Sequence, residues 1–167
     1  MHLIIEVLKK VTVKVQWTHF GGGELAINLL EQSKQLPDNI HVNFMGHKQN
    51  HEVLSFYKTT PIHLFVHFSE TEGGVPVSLQ EAASFGIPLL GTNIGGIPEI
   101  VTEKTGVLIP VDFNIQEVAQ FINEFRSSFR NTQEFRMECK EFWRTTFEAN
   151  NNYERFYLQL METIHES

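Results

Sequence analysis

Apolar residues recur along this chain at helical and at strand spacing, and the two kinds of segment are separated by turns bearing glycine or proline. Leu3, Ile4, Val7 and Leu8 share one helical face of residues 1–10, with Glu6, Lys9 and Lys10 opposite. Val11, Val13, Val15 and Trp17 alternate with polar residues and predict a strand. After a turn that includes Gly21, Gly22, Gly23 and Glu24, the stripe Leu25, Ile27, Leu29, Leu30 and Leu36 predicts a helix closed by Pro37. Residues 40–44 predict a second strand, which runs out at Met45, Gly46 and His47. Residues 48–58 predict a helix with Val53, Leu54, Phe56 and Tyr57 turned inward.

Between residues 65 and 102 one device occurs twice. The bulky run Ile62, Leu64, Phe65, Val66 and Phe68 predicts a buried strand, which breaks into Glu70, Thr71, Glu72, Gly73 and Gly74. Pro76 suits the first turn of a helix, where its missing N–H would have no partner. Val77, Leu79, Ala82 and Ala83 continue that helix, and Gly86 can terminate it. A second buried strand, residues 87–91, leads through Gly95 and Gly96 to a short helix with Pro98 near its start. Downstream, residues 106–110 predict a last strand. Asn114 and Glu117 form a capping pair for a helix with Val118, Phe121, Ile122, Phe125 and Phe129 on one side. Two more helices follow. In the last, Tyr153, Phe156, Tyr157, Leu160, Met161 and Ile164 repeat at three and four; the favoured expectation is that the stripe covers the chain's own core, the alternative that part of it is exposed or met by a partner.

A strand, a Gly-Gly turn and a helix N-terminus together offer unpaired N–H groups, the positive end of a helix dipole and close backbone approach for an anion. Two such ends at the carboxyl edge of a parallel sheet make a phosphate-binding crevice. The candidate donors are the amides around Gly73, Gly74 and Val75 and around Gly95 and Gly96. Glutamates beside them suit sugar hydroxyls better than phosphate. The residues therefore read as a site for a phosphorylated sugar or nucleotide, or else as two ordinary strand-to-helix turns. The histidine pairs 47/51 and 63/67 lack a third ligand at diagnostic spacing, so no metal is expected.

The chain has 167 residues, 41% of them hydrophobic and 20% charged, which is globular composition, and at this length about 70% of the unfolded surface is buried. A net charge of −7 argues against nucleic acid and against a polybasic membrane patch. The single Cys139 excludes an internal disulfide, is compatible with a reducing cytoplasm, and lies among Phe135, Phe142 and Trp143 at helical spacing, so it reads as core. No apolar run has transmembrane length, and Leu3, Ile4 and Ile5 are too few for a signal peptide.

The stretch EGGVPVSLQEAASFGIPLLGTNIGGIPEIV resembles the donor-binding signature of GT-B glycosyltransferases, in particular the large, mostly retaining family that uses nucleotide-diphosphate sugars. WTHFGGGEL and HVNFMGH resemble that family's flanking turns, and FWRTTFEANNNYERFYLQL its closing helices. The resemblance implies an α/β fold, one half of a GT-B pair: a Rossmann-like parallel sheet sandwiched by helices, with extra C-terminal helices. It implies that residues 1–167 are a single nucleotide-sugar-binding domain. Glu72 is then the candidate catalytic residue, accepting hydrogen bonds from donor-sugar hydroxyls. Gly73, Gly74, Val75, Gly95 and Gly96 bind the donor sugar and diphosphate. Glu81 holds the ribose hydroxyls, while Gly21, Gly23, Gly46 and His47 complete the nucleotide site.

Two departures stand out. Eight residues separate Glu72 from Glu81, where the family has seven, because of one extra glycine; if that bulge turns Glu72 away, Thr71 or Glu70 would face the sugar. The family's domain also opens with a strand and loop carrying an Arg and a Lys for the diphosphate, whereas residues 1–10 match the helix after that loop. The expectation is an N-terminally truncated donor domain, inactive alone. In a complete enzyme it would transfer a sugar to a glycan or lipid-linked acceptor held by a missing N-terminal domain. Polysaccharide or glycolipid biosynthesis is the expected setting, with a location in the cytoplasm or peripherally at the inner membrane face, and no cofactor beyond the nucleotide sugar. The alternatives are one subunit of a split transferase or a non-catalytic nucleotide-binding remnant.

Overall fold

The computed structural model describes residues 2–23 and 25–165, without the side chains of His2, Leu25, Ile164 and His165. The expectations placed on Glu24 in the triple-glycine turn, and on Leu25 and Ile164 as apolar stripe positions, lie outside the described residues. The chain runs α1 (His2–Leu8), β1 (Val15–Phe20), α2 (Leu25–Ser33), β2 (Ile40–Gly46), α3 (Asn50–Thr59), β3 (Phe65–His67) and α4 (Val77–Ser84). It continues through β4 (Leu89–Thr92), α5 (Ile97–Ile100), β5 (Gly106–Ile109) and α6 (Ile115–Glu124). Two 3-10 turns then lead to α7 (Gln133–Thr146) and α8 (Ala149–His165).

All strand pairs are parallel. β1 pairs with β2 from Val15↔Ile40 to Phe20↔Gly46, with a register shift between His19 and Phe20. β4 lies between β3 and β5, with Phe65↔Leu89 and Leu89↔Gly106. The single sheet expected from the sequence is thus two hydrogen-bonded ladders, because β1 and β3 do not pair. Their order follows from connection handedness. α2 lies on the α1 side and α3 on the opposite side, so right-handed crossovers step from β1 to β2 one way and from β2 to β3 the other. β3 therefore lies on the β1 side of β2, with β4 and β5 beyond it.

Alternation along the strands sorts the core into two layers. Phe65, Leu89 and Leu108 face Tyr57 of α3, Leu79, Ala82 and Ala83 of α4, Ile97 and Ile100 of α5 and Cys139 of α7. Val66, Leu90, Val107 and Ile109 face Val7 and Leu8 of α1 and Val118 and Ala119 of α6, together with Val15, Trp17, Ile40 and Val42 of the other ladder. One apolar layer thereby covers both ladders.

Four expectations are corrected. The first strand begins at Val15, not Val11: the Asn39 amide donates to the Val11 and Val13 carbonyls at 3.0 and 2.8 Å, and the Asn123 carbonyl accepts from the Thr12 and Val13 amides. These side chains take the backbone partners that a ladder would supply. Val77, Ile27 and Leu30 are exposed although they belong to apolar stripes. Phe129 falls in a 3-10 turn beyond α6 and is exposed, its ring beneath the Arg130 guanidinium. The α8 stripe does not cover the core: Tyr153, Phe156, Tyr157 and Leu160 are all exposed. Elsewhere the local signals hold. Asn114 caps α6 by accepting from Gln116 and Glu117 amides, and Gly86 ends α4 at φ +69°.

Cys139 is fully buried in the first layer, and burial pushes its thiol up to about 12, against a smaller opposing pull from Arg136. The folded thiol thus keeps its proton where the unfolded chain has lost it. That contribution to stability is full below the ordinary thiol range and is lost as pH rises towards 12. At pH 8 an alkylating reagent is expected to leave native Cys139 unmodified and to modify it once urea unfolds the chain. Rapid labelling of the native protein would contradict the packing.

Candidate functional site

The loops that follow β1, β2, β3 and β4 all leave the carboxyl ends of parallel strands, and the predicted site residues lie on them, except Gly46 at the end of β2 and Glu81 on α4. α4 is the helix that the largest of these loops delivers. Its N-cap is Pro76, which makes no side-chain cap. Among the described residues, no group accepts from the amides of Gly73, Gly74, Val75, Val77 or Ser78. Residues 73–78 thus present five unpartnered amides, three before Pro76 and two after it. The arrangement suits an anion.

That loop is held from three sides. The Thr92 hydroxyl, buried at the end of β4, donates to the Ser69 carbonyl at 2.8 Å and accepts from the Ser69 amide at 3.0 Å. At the end of β3, His67 Nε2 lies 2.9 Å from Glu72 Oε1. The turn after β4 presses against the loop backbone. A Cβ at Gly95, whose φ is +53°, would lie 2.2 Å from the Glu72 carbonyl oxygen, and one at Gly96 would lie 2.4 Å from Gly74 C and Val75 N. Only glycine fits there. At Gly73 and Gly74 the reverse holds: a Cβ would meet no atom within 4 Å, so the protein's own packing does not require glycine at either.

The second acidic position is set by α3. The Asn50 side-chain amide donates to Glu81 Oε1. Tyr57, on the same helix, is pushed up to about 12 by burial, with the Glu81 charge adding to the effect. α3 itself starts just after His47. The Gln49 amide donates to Glu52 Oε2 at 2.9 Å, and Glu52 in turn engages Lys48 at 3.2 Å. On the β1–β2 side, the Gly21 amide donates to the Gly46 carbonyl at 2.9 Å, and a Cβ at Gly22 would sit 3.7 Å from His47 Cβ. Burial lowers the His19 pKa, which leaves a neutral ring against Gly21.

The structure therefore links Glu72, Gly73, Gly74, Val75, Gly95 and Gly96 as one group, joins Gly21 to Gly46 and sets Gly22 beside His47. Glu81 is tied to the second group through α3. Gly23 touches neither, being exposed at φ +108° with nothing near its Cβ position. Glu70 and Thr71 are exposed, and the extra glycine leaves Glu72, not Glu70, in contact with the strand end. Three contributors escaped the sequence reading: His67, Asn50 and the Ser69–Thr92 pair. Each works through a contact across a turn or between elements, which no local pattern announces. Among the described residues no three His, Cys, Asp or Glu side chains are grouped to hold a metal. A concavity of about 220 Å³ between β4, β5 and α6 includes none of the predicted residues.

The profile of the family described as "Glycosyl transferases group 1" matches residues 1–142. This chain belongs to that family. It is 31% identical over 143 residues to the putative colanic acid biosynthesis glycosyltransferase WcaL of Salmonella typhimurium, covering 80% of this chain and 34% of WcaL. It is 38% identical over 89 residues to the O-antigen biosynthesis glycosyltransferase WbnH of Escherichia coli, covering 53% of this chain and 23% of WbnH. The chain thus spans about a third or less of the length of these curated relatives. Among solved structures, Anabaena Alr3699/HepE in complex with UDP superposes with a TM-score of 0.75 at 21% identity, over 100% of this chain and 45% of that one. The apo lipopolysaccharide outer core galactosyltransferase WaaB gives 0.76 at 17% identity, over 97% and 44%. The fold is that of GT-B glycosyltransferases: parallel strands flanked by helices.

Within this glycosyltransferase fold the contact of the two turns makes a direct prediction. Gly96→Ala is expected to displace residues 72–75 and to cost about 1–3 kcal/mol of stability, the range for forcing atoms into a packed site. Gly73→Ala should cost well under that, because its Cβ position is open. Urea denaturation of both variants checks the contrast, and equal losses would contradict the geometry.

Proposed function

We propose that this chain is the donor-binding part of a longer glycosyltransferase. That enzyme would transfer a sugar, with retention, from a nucleotide-diphosphate sugar to a glycan or lipid-linked acceptor during polysaccharide or glycolipid assembly. The observation that carries the reading is the row of unpartnered amides from Gly73 to Ser78 at an uncapped helix end, flanked by two carboxylates each held by a neighbour. Departure of a nucleoside diphosphate builds negative charge on its phosphate oxygens, and preorganised N–H donors stabilise that charge without reorganising. Glu72 would accept from sugar hydroxyls and Glu81 from the ribose diol. The names of the relatives, colanic acid and O-antigen biosynthesis, support the polymer class, and the UDP bound by Alr3699/HepE makes uridine nucleotides the first to test.

Two features favour a longer or assembled enzyme over a remnant. The aromatic stripe of α8 is exposed and suits burial against another domain or subunit. β1 and β3 also leave facing edges unpaired with one another, over a shared apolar layer. In α1, by contrast, Ile5, Val7 and Leu8 are buried and Leu3 and Ile4 half-buried, so its described residues expose no comparable apolar stripe. The Lys48 ammonium near His47 is engaged by Glu52, so cations for the diphosphate would come from outside these residues. The chain alone is therefore proposed to bind donor without turning it over, and to act in the cytoplasm or at the inner face of the membrane. None of its described helices is long and apolar enough to cross a membrane.

A thermal-shift panel of UDP, GDP, ADP and CMP tests the reading. A ligand bound only by the folded state stabilises it by about 2.7 kcal/mol at a hundred times its dissociation constant, a shift of several degrees. One nucleotide is expected to give that shift, and Glu81→Ala to abolish it. If none of the four stabilises the chain, the donor-site reading fails for this polypeptide. Turnover of a nucleotide sugar by the chain alone would overturn the proposed dependence on further segments.

A further inference from the structure

The Glu72 carboxylate has one oxygen occupied and one free. Oε1 takes the contact from His67 Nε2 at 2.9 Å, and no described group donates to Oε2. An ionised carboxylate only accepts, so the ring must donate through Nε2–H. Both side chains are about a quarter exposed, so the contact is shielded but within reach of a ligand. The backbone on either side is fixed independently of this contact, by the Ser69–Thr92 pair and by the Gly95 approach to Glu72. What His67 adds is the orientation of the side chain. It stands at the last position of β3, an element whose other two residues are locked into opposite core layers. Glu70, two residues earlier, has no such partner and is exposed.

We infer that His67 is a positioning residue that selects Glu72 as the acceptor for donor-sugar hydroxyls, by holding one carboxylate oxygen so that the other faces the sugar. The inference rests on the donor-site reading above and extends it from the nucleotide to the sugar. It makes His67 responsible for the preference for a nucleotide sugar over the bare nucleotide, and it assigns no role to His67 in nucleotide affinity.

The test is calorimetric titration of the whole chain with two probe pairs, UDP with UDP-glucose and GDP with GDP-mannose. Wild type, His67→Leu and His67→Gln are compared, the last of which keeps a side-chain N–H donor. For the pair that binds, wild type is expected to prefer the nucleotide sugar. His67→Leu is expected to lose about tenfold of that preference, the size of one hydrogen bond to a charged group. His67→Gln should restore most of the preference, and the bare nucleotide should bind all three proteins alike. A preference unchanged in His67→Leu overturns the inference. So does an equal weakening of nucleotide and nucleotide sugar, which is what a merely structural role would give. If the bare nucleotide binds and the wild type shows no preference for the sugar, His67 fails while the nucleotide site stands. If neither pair binds, the donor-site reading falls and takes this inference with it.

Discussion

At residues 95 and 96 the turn after β4 lies so close to the loop after β3 that a Cβ on either glycine would fall within 2.4 Å of backbone atoms. Most of the site depends on that approach. Residues 70–75 form a loop rich in glycine and acidic side chains, with no ladder of its own to hold it. Left alone, it would sample many conformations at a cost of roughly 1–2 kcal/mol per residue to order. Packing its backbone directly on a second turn, which is itself anchored on a fully buried strand, fixes it without using the amide groups. The donors at residues 73–75 stay free because the contact that fixes them is one of shape, and the hydrogen bonds that hold the loop fall on Ser69 and the Glu72 side chain.

The same division of labour recurs among the other candidate site residues. Side chains secure side chains: His67 holds Glu72, and Asn50 holds Glu81. Backbone secures backbone, through the Gly21–Gly46 bond and the glycine contacts. The helix that presents its N-terminus, α4, is locked from beneath by Leu79, Ala82 and Ala83 against the first core layer, so its dipole end has little freedom to move. Such a site is assembled before a ligand arrives, which is the condition for electrostatic stabilisation to be worth more than it is in water.

How much of this was legible beforehand depends on the range of the signal. Strands β3, β4 and β5 and the two turns between and after them follow from runs of apolar residues and from glycine and proline placed at their ends. The capping of α6 by Asn114 and the burial of Cys139 are local in the same sense. The late start of β1 was not legible, since alternation at Val11 and Val13 cannot reveal that two asparagine side chains from elsewhere satisfy that backbone. The α8 stripe shows the complementary failure. A helical period says that one face is apolar, and says nothing of whether that face meets its own core or another surface. His67 and Asn50 were hidden for a third reason: a histidine ending a strand and an asparagine opening a helix are ordinary until the fold sets a carboxylate beside each.

The central claim is that the loops after β1 to β4 form one nucleotide-sugar site. The most direct measurement is a map of backbone amide shifts by two-dimensional NMR as UDP is added to the isotopically labelled chain. The account predicts that the perturbed amides cluster at residues 21–23, 46–47, 73–75, 77–78, 81 and 95–96, with Gly73, Gly74 and Val75 moving most. Perturbations confined to the concavity beside α6, or spread evenly over the surface, would contradict it.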